Sequence, residues 1–224
     1  MSRRDEIREK ALRDLQQYEV LMLNGHFDFG NGFHGPLYLN PHQLFRYPST
    51  IWRFAQDLLD LLPASIVEAT EVVAGPVTGG ALLAHTIAGL LDSRREITRP
   101  PTLFAPFTLD IASGQGTPSD SRGVKASGDR AGHKLTPFYQ RLVSGRNVLV
   151  VDDVRNTGQT QARCVELVRR AGGTVLATAE IYDRLEAIVD AGVPNLALAE
   201  YKAPANVPAG ECPLCQAGVP VSAF

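Results

Sequence analysis

Residues 148–160 read VLVVDDVRNTGQT, and the fold turns on them. Val148, Leu149, Val150 and Val151 form an unbroken apolar run, the pattern of a strand covered on both faces rather than one. Asp152 and Asp153 stand at its end. A polar turn follows and leads into a helical pattern over residues 157–171, with Ala162, Val165, Leu167 and Val168 as its apolar positions and Gly172-Gly173 as its stop. Strand, turn and helix in that order predict one unit of a parallel α/β sheet.

The flanking sequence repeats the alternation. Upstream, residues 4–23 place Ile7, Ala11, Leu12, Leu15, Tyr18 and Met22 near one helical face, with Gly25 as the expected terminator. Residues 25–41, rich in Gly, Asn and aromatics, read as a loop or short hairpin. Pro48-Ser49 opens a helix over 48–62 with Ile51, Phe54, Ala55, Leu58 and Leu62 on one side. Strands are expected at 71–74, 101–107, 174–182 and 195–201, a buried helix at 78–91, and a short helix between the last two strands. Between Asp110 and Lys134 apolar residues nearly vanish, which predicts a long mobile loop. The Pro-rich tail, 202–224, is expected to wrap the surface.

Composition narrows the class. The chain has 224 residues, 44% hydrophobic and 21% charged, enough for one domain with a sizeable core. A formal net charge of −2 argues against non-specific nucleic-acid binding. The apolar stretch 81–91, broken by His85 and Thr86, is too short for a membrane span. MSRRDEIREK at the start lacks the apolar centre of a signal peptide, and three cysteines are too few for a disulfide framework. The expectation is a reduced, cytoplasmic protein bound neither to membrane nor to nucleic acid.

Open parallel sheets bind ligands beyond the carboxyl ends of their strands. There, neighbouring carboxylates can receive the hydroxyls of a sugar diol. The turn Val154, Arg155, Asn156, Thr157, Gly158, Gln159, Thr160 offers backbone N–H groups and two threonine hydroxyls to a phosphate. Vicinal hydroxyls and a phosphate together describe a ribose 5-phosphate. A second turn, AGPVTGGA at 74–81, also lies between a strand and a helix. Gly75, Gly79 and Gly80 let backbone amides come close to an anion, with Pro76, Val77 and Thr78 between them. No Lys-Ser/Thr follows, so it is not a Walker loop. Two anion sites flanking a ribose describe phosphoribosyl pyrophosphate.

With those residues in view, VLVVDDVRNTGQT resembles the phosphoribosyl pyrophosphate motif of type I phosphoribosyltransferases. Nearly the whole chain is similar to the orotate phosphoribosyltransferase branch. GHFDFGNGFHGPLYLN at 25–40 resembles its N-terminal hood, AGPVTGGALLA its pyrophosphate loop, Asp183-Arg184 its Asp-Arg pair, and ECPLCQAGV at 211–219 the tail of one bacterial branch. The resemblance implies an α/β fold with a parallel sheet flanked by helices, divided into a hood (about 1–45), a core (about 46–201) and a tail (202–224).

It also implies an activity: transfer of phosphoribosyl from phosphoribosyl pyrophosphate to orotate, with Mg²⁺ carried by the substrate and no metal held by the protein alone. Asp152 and Asp153 would hold the ribose hydroxyls. Lys125 and Arg130, in the polar loop, would close over pyrophosphate, and His133 would act on the leaving group unless it is simply solvated. Tyr38 and Leu39 match hood positions that meet the base, although Tyr38 would serve equally in core packing. Asn156 belongs with the base as well as the phosphate. Arg184 would pair with the orotate carboxylate; the plainer assignment is a surface ion pair with Glu186 or Asp183. A homodimer is implied, the loop reaching the partner's site. Gly30, Asn31 and Gly35 stand where the family commonly has serine or lysine, which leaves another nucleobase, or a nucleotide-sensing protein without catalysis, as alternatives. The pair Cys212-x-x-Cys215 is half a zinc site. Two copies across a dimer could complete four thiolates, but with no histidine or second pair nearby it reads as a plain reduced pair, and Cys164 reads as core.

Overall fold

The computed structural model describes residues 2–29, 32–94, 98–110, 132–186, 189–202, 204 and 206–222. The segment that opened the sequence analysis becomes β8 (Asn147–Arg155), at the middle of a six-stranded sheet. The other strands of that sheet are β5 (Val72–Pro76), β6 (Leu103–Leu109), β7 (His133–Lys134), β9 (Thr174–Asp183) and β10 (Asn195–Glu200). Their order is β10-β9-β8-β5-β6-β7, parallel throughout except for the β6–β7 pair.

The apolar run of β8 is divided residue by residue between two cores. Leu149 and Val151 join one cluster with α1 (Arg3–Gln17), α2 (Pro48–Leu61) and α4 (Gly79–Arg94); Val148 and Val150 join another with α5 (Pro137–Val143) and α6 (Gln159–Arg170). All four are fully buried, and each such side chain stabilises the fold by on the order of 2 kcal/mol. Between α2 and β5 lies α3 (Ala64–Ala69), which sequence periodicity did not show. No helix among the described residues is long and apolar enough to cross a membrane.

Several element limits differ from the sequence reading, for local reasons. Helix α1 starts at a capping box between Ser2 and Asp5 and ends at Gln17. Glu19 then takes φ 56°, a left-handed conformation that turns the chain, so Gly25 is not the terminator. Residues Leu21–Met22 form strand β1 instead, paired with β4 (Tyr38–Leu39). The helix expected between β9 and β10 is absent among the described residues there. Leu185 adopts φ 54°, and its N–H donates to Asp183 Oδ1 at 2.8 Å, closing a turn.

The expected hairpin of residues 25–41 is β2 (Phe27–Asp28) against β3 (Phe33–Gly35). The tail does more than lie on the surface. It adds β11 (Val207–Pro208) to β3 in a three-stranded sheet, then forms α7 (Pro213–Gln216). Ser222 N–H donates to His26 O at 2.7 Å, and Asp28 N–H to Ser222 O at 3.2 Å.

Candidate active site

Strands β5 and β8 are neighbours, yet the chain leaves them in opposite directions: through α4 to β6 on one side, through α6 to β9 on the other. That divergence opens a crevice at their carboxyl ends. A cleft of about 290 Å³ lies there, lined by Pro76, Val77, Thr78 and Gly79 from the glycine turn, Asp152 and Asp153 from β8, Thr160 from α6, His133 from β7, and Pro41 and Phe45. A larger hollow of about 480 Å³ sits among α1, α2 and α3, lined by Arg3, Arg4, Asp60 and Glu68 among others. It includes neither the glycine turn nor the paired carboxylates, so it is a surface groove beside the helices.

The glycine turn is pressed onto the carboxylates. A methyl group placed on Gly79 would sit 2.1 Å from Asp153 Oδ2, and one on Gly80 would sit 2.8 Å from Asp152 Oδ1. Asp153 N–H donates to Asp152 Oδ1 at 3.0 Å, and Val154 N–H to Asp153 Oδ1 at 2.9 Å. Burial, reinforced by the neighbouring Asp153 charge, holds the Asp152 carboxyl well above the usual carboxylate range. The His133 imidazole is lowered by its burial and by the Arg163 charge, which favours its neutral form.

The turn expected as a second cradle leads from β8 into α6. Gly158, at φ 80°, is the N-cap of α6 and has no side chain with which to cap it. Val189 N–H donates to Thr157 O at 2.8 Å and fixes the turn from behind. Val154 packs against the core cluster of α1, α2 and α4. Arg155 points under the turn, not to its open face: it is buried, 3.3 Å from Asp183 Oδ2, and its Nε lies 3.2 Å from where a Gly158 Cβ would be. Gln159 and Asn156 are at the surface.

The base-binding candidates are more dispersed. Arg184 extends from the end of β9 with Nη1 3.4 Å from Asn156 Oδ1, so it stands beside the cradle as the parallel sheet requires. Its Nε is 3.1 Å from Glu186 Oε1, the ion pair weighed as its plainer assignment. The Tyr38 ring groups with Phe27 and Phe29 at 5.9 and 6.3 Å, and Leu39 packs on the main core. Neither lines the cleft. The segment expected as a hood lines the cleft with Pro41 and Phe45, from the 3₁₀ turn Pro41–Phe45. Sequence reasoning missed both because nothing in PHQLF distinguishes a cleft wall from a connector. Lys125 and Arg130 lie outside the described residues.

The cysteine pair is free, as expected of a reduced pair, but histidines lie beside it in the fold. His26 and His34, remote in sequence, come together with Cys212 and Cys215, their potential ligand atoms all within 4.8 Å of one another.

Comparison with known proteins shows the family. An orotate phosphoribosyltransferase of Erythrobacter litoralis is 30% identical over 216 residues, 96% of this chain and 95% of that protein. The chain belongs to the orotate phosphoribosyltransferase family. A second family member, from Caldanaerobacter subterraneus, is 29% identical over 96% of this chain. Among solved structures, orotate phosphoribosyltransferase of Aeropyrum pernix superposes with a TM-score of 0.56 at 22% identity, covering 85% of this chain and 93% of its own, and so shares the fold. No protein-family model matches the chain.

Proposed function

We propose that this chain transfers the 5-phosphoribosyl group from phosphoribosyl pyrophosphate to orotate, giving orotidine 5′-phosphate and pyrophosphate. The observation that carries the reading is the contact of the glycine turn with the Asp152–Asp153 pair across one cleft, supported by the names of the family's members.

The reaction breaks the bond between ribose C1 and pyrophosphate and makes one from C1 to a base nitrogen. Positive charge develops on the sugar and negative charge on the leaving group. No side-chain nucleophile is needed, so the protein's share is positioning and electrostatic stabilisation. The Asp152 and Asp153 carboxyls hold the ribose hydroxyls and thereby orient C1. Backbone amides of Thr78, Gly79 and Gly80, at the start of α4, receive pyrophosphate, and those at the start of α6, with the Thr157 and Thr160 hydroxyls, receive the 5′-phosphate. Asp152, Asp153, Thr78 and Thr160 give the cleft hard oxygen donors, the type that suits Mg²⁺. When bound, Mg²⁺ neutralises charge on pyrophosphate. Arg184 exchanges Glu186 for the orotate carboxylate, while Lys125, Arg130 and His133 serve the leaving group. The family resemblance supports a cytoplasmic homodimer as the working form.

A thermal-shift screen tests this reading. Phosphoribosyl pyrophosphate with Mg²⁺ should raise the unfolding temperature, and among nucleoside 5′-monophosphates orotidine 5′-phosphate should raise it most. Stabilisation by another base's nucleotide, with none by orotidine 5′-phosphate, would redirect the assignment to that base.

A further inference from the structure

Far from the cleft's carboxylates in sequence, four side chains of metal-binding type converge where the tail meets the hood. His26 immediately precedes β2, His34 lies in β3, Cys212 is the N-cap of α7, and Cys215 lies within α7. We propose that His26, His34, Cys212 and Cys215 form a structural zinc site that locks the C-terminal tail onto the N-terminal hood.

The distances support a tetrahedron. His26 Nε2 lies 3.0 Å from His34 Nδ1, 3.4 Å from Cys212 Sγ and 3.5 Å from Cys215 Sγ. Cys215 Sγ lies 3.3 Å from His34 Nδ1. With Zn–S about 2.3 Å and Zn–N about 2.0–2.1 Å, tetrahedral edges are about 3.3–3.4 Å for N to N and about 3.5–3.6 Å for N to S. Each observed edge is within a few tenths of an ångström of its ideal.

Hydrogen bonding alone does not account for the cluster. His26 Nδ1 is 2.8 Å from Val219 O, and a carbonyl can only accept, so this nitrogen carries the proton. In the neutral ring, Nε2 then has one lone pair, yet three groups crowd it. A single cation at the centre, with both cysteines as thiolates, satisfies all four atoms at once. The Val219 carbonyl is also the outer partner that ligating histidines usually have, orienting the ring and raising its basicity. Asp28 Oδ1 stands 3.9 Å from His34 Nε2, the ring nitrogen not used in the cluster. Two thiolates and two imidazoles suit zinc, and four protein ligands leave no open position for a reacting water, which makes the site structural.

The experiment is metal analysis of the untagged full chain. Zinc should co-purify at about one equivalent per chain. Protein produced in cobalt medium should show the intense visible bands of tetrahedral Co²⁺ and a near-ultraviolet thiolate-to-cobalt band. Cys215 is exposed, so Cys215→Ser should fold and should lose about half of the thiolate band, whereas Cys164→Ala should keep it all. Metal-free protein from both preparations, a Cys212–Cys215 disulfide, or an undiminished thiolate band in Cys215→Ser would each overturn the site. None of these readouts depends on turnover, so they stand apart from the proposed transfer reaction.

Discussion

Gly79 shows how closely the cleft is built. It opens α4, where alanine would gain about 1 kcal/mol in helix propensity. Against that gain, the added methyl group would meet Asp153 Oδ2 at 2.1 Å and Phe45 Cζ at 2.7 Å, an overpacking that costs roughly 1–3 kcal/mol. Gly79→Ala should therefore leave the protein folded, from unchanged to about 2 kcal/mol less stable, but displace Asp153 and raise the KM for phosphoribosyl pyrophosphate at least about tenfold, the equivalent of 1.4 kcal/mol. An unaltered KM would mean that Asp153 does not meet the sugar. Arg184 tests the base. A charge-assisted pair with the orotate carboxylate is worth about 1.5–3 kcal/mol, so Arg184→Ala should reduce orotate use by about ten- to a hundredfold while weak use of uracil, which lacks the carboxylate, hardly changes. Equal losses for both bases would leave Arg184 with its ion pair to Glu186 as its whole role. The residue types at these positions were readable from sequence because carboxylates and glycines at strand ends carry their chemistry in their identity. The burial of Arg155 under its own turn was not, since its direction depends on Asp183, a whole βα unit away.

At the scale of elements, β8 and β9 carry a titrating pair of their own. Glu180 in β9 is opposite Asp152 in β8 and fully buried. Its carboxylate accepts from Gln161 Nε2 at 2.8 Å and Asn195 Nδ2 at 2.7 Å. Burial outweighs these bonds and pushes its pKa up to about 7 from 4.5. A raised folded-state value means that the group favours folding below pH 4.5 and that this advantage is lost as pH rises through 7. The loss is about 3 kcal/mol. Denaturant titrations of wild type and Glu180→Gln at pH 5 and pH 8 isolate it: wild type should lose most of that amount relative to the variant. Parallel pH dependences would show that Glu180 ionises freely. Gln161 Oε1 is buried without a hydrogen-bond partner and can accept from a neutral Glu180, or from glutamine there, if its amide turns over. The strands themselves were legible because a two-face burial leaves a continuous apolar run. The helix expected over residues 4–23 ran on too far, because periodicity does not register a single left-handed residue such as Glu19.

The whole molecule is organised around two meetings that sequence shows unequally. The meeting of β5 and β8 was legible, since each brings its own recognisable turn to the same edge of a parallel sheet. The meeting of hood and tail was not. His26 and Cys212 are separated by most of the chain, and no local spacing announces that a hairpin and a four-residue helix will share a cluster. The central claim concerns the first meeting and has a direct assay: initial rates of pyrophosphate release and orotate consumption with phosphoribosyl pyrophosphate and Mg²⁺, for wild type and for the double variant Asp152→Asn/Asp153→Asn. Wild type should form orotidine 5′-phosphate and pyrophosphate in equal amounts, only when all three components are present. The double variant, with its melting temperature checked, should be slower by at least about a hundredfold, because both carboxyl contacts to the ribose are lost. Equal rates for the two proteins, or no consumption of orotate by wild type, would contradict the account.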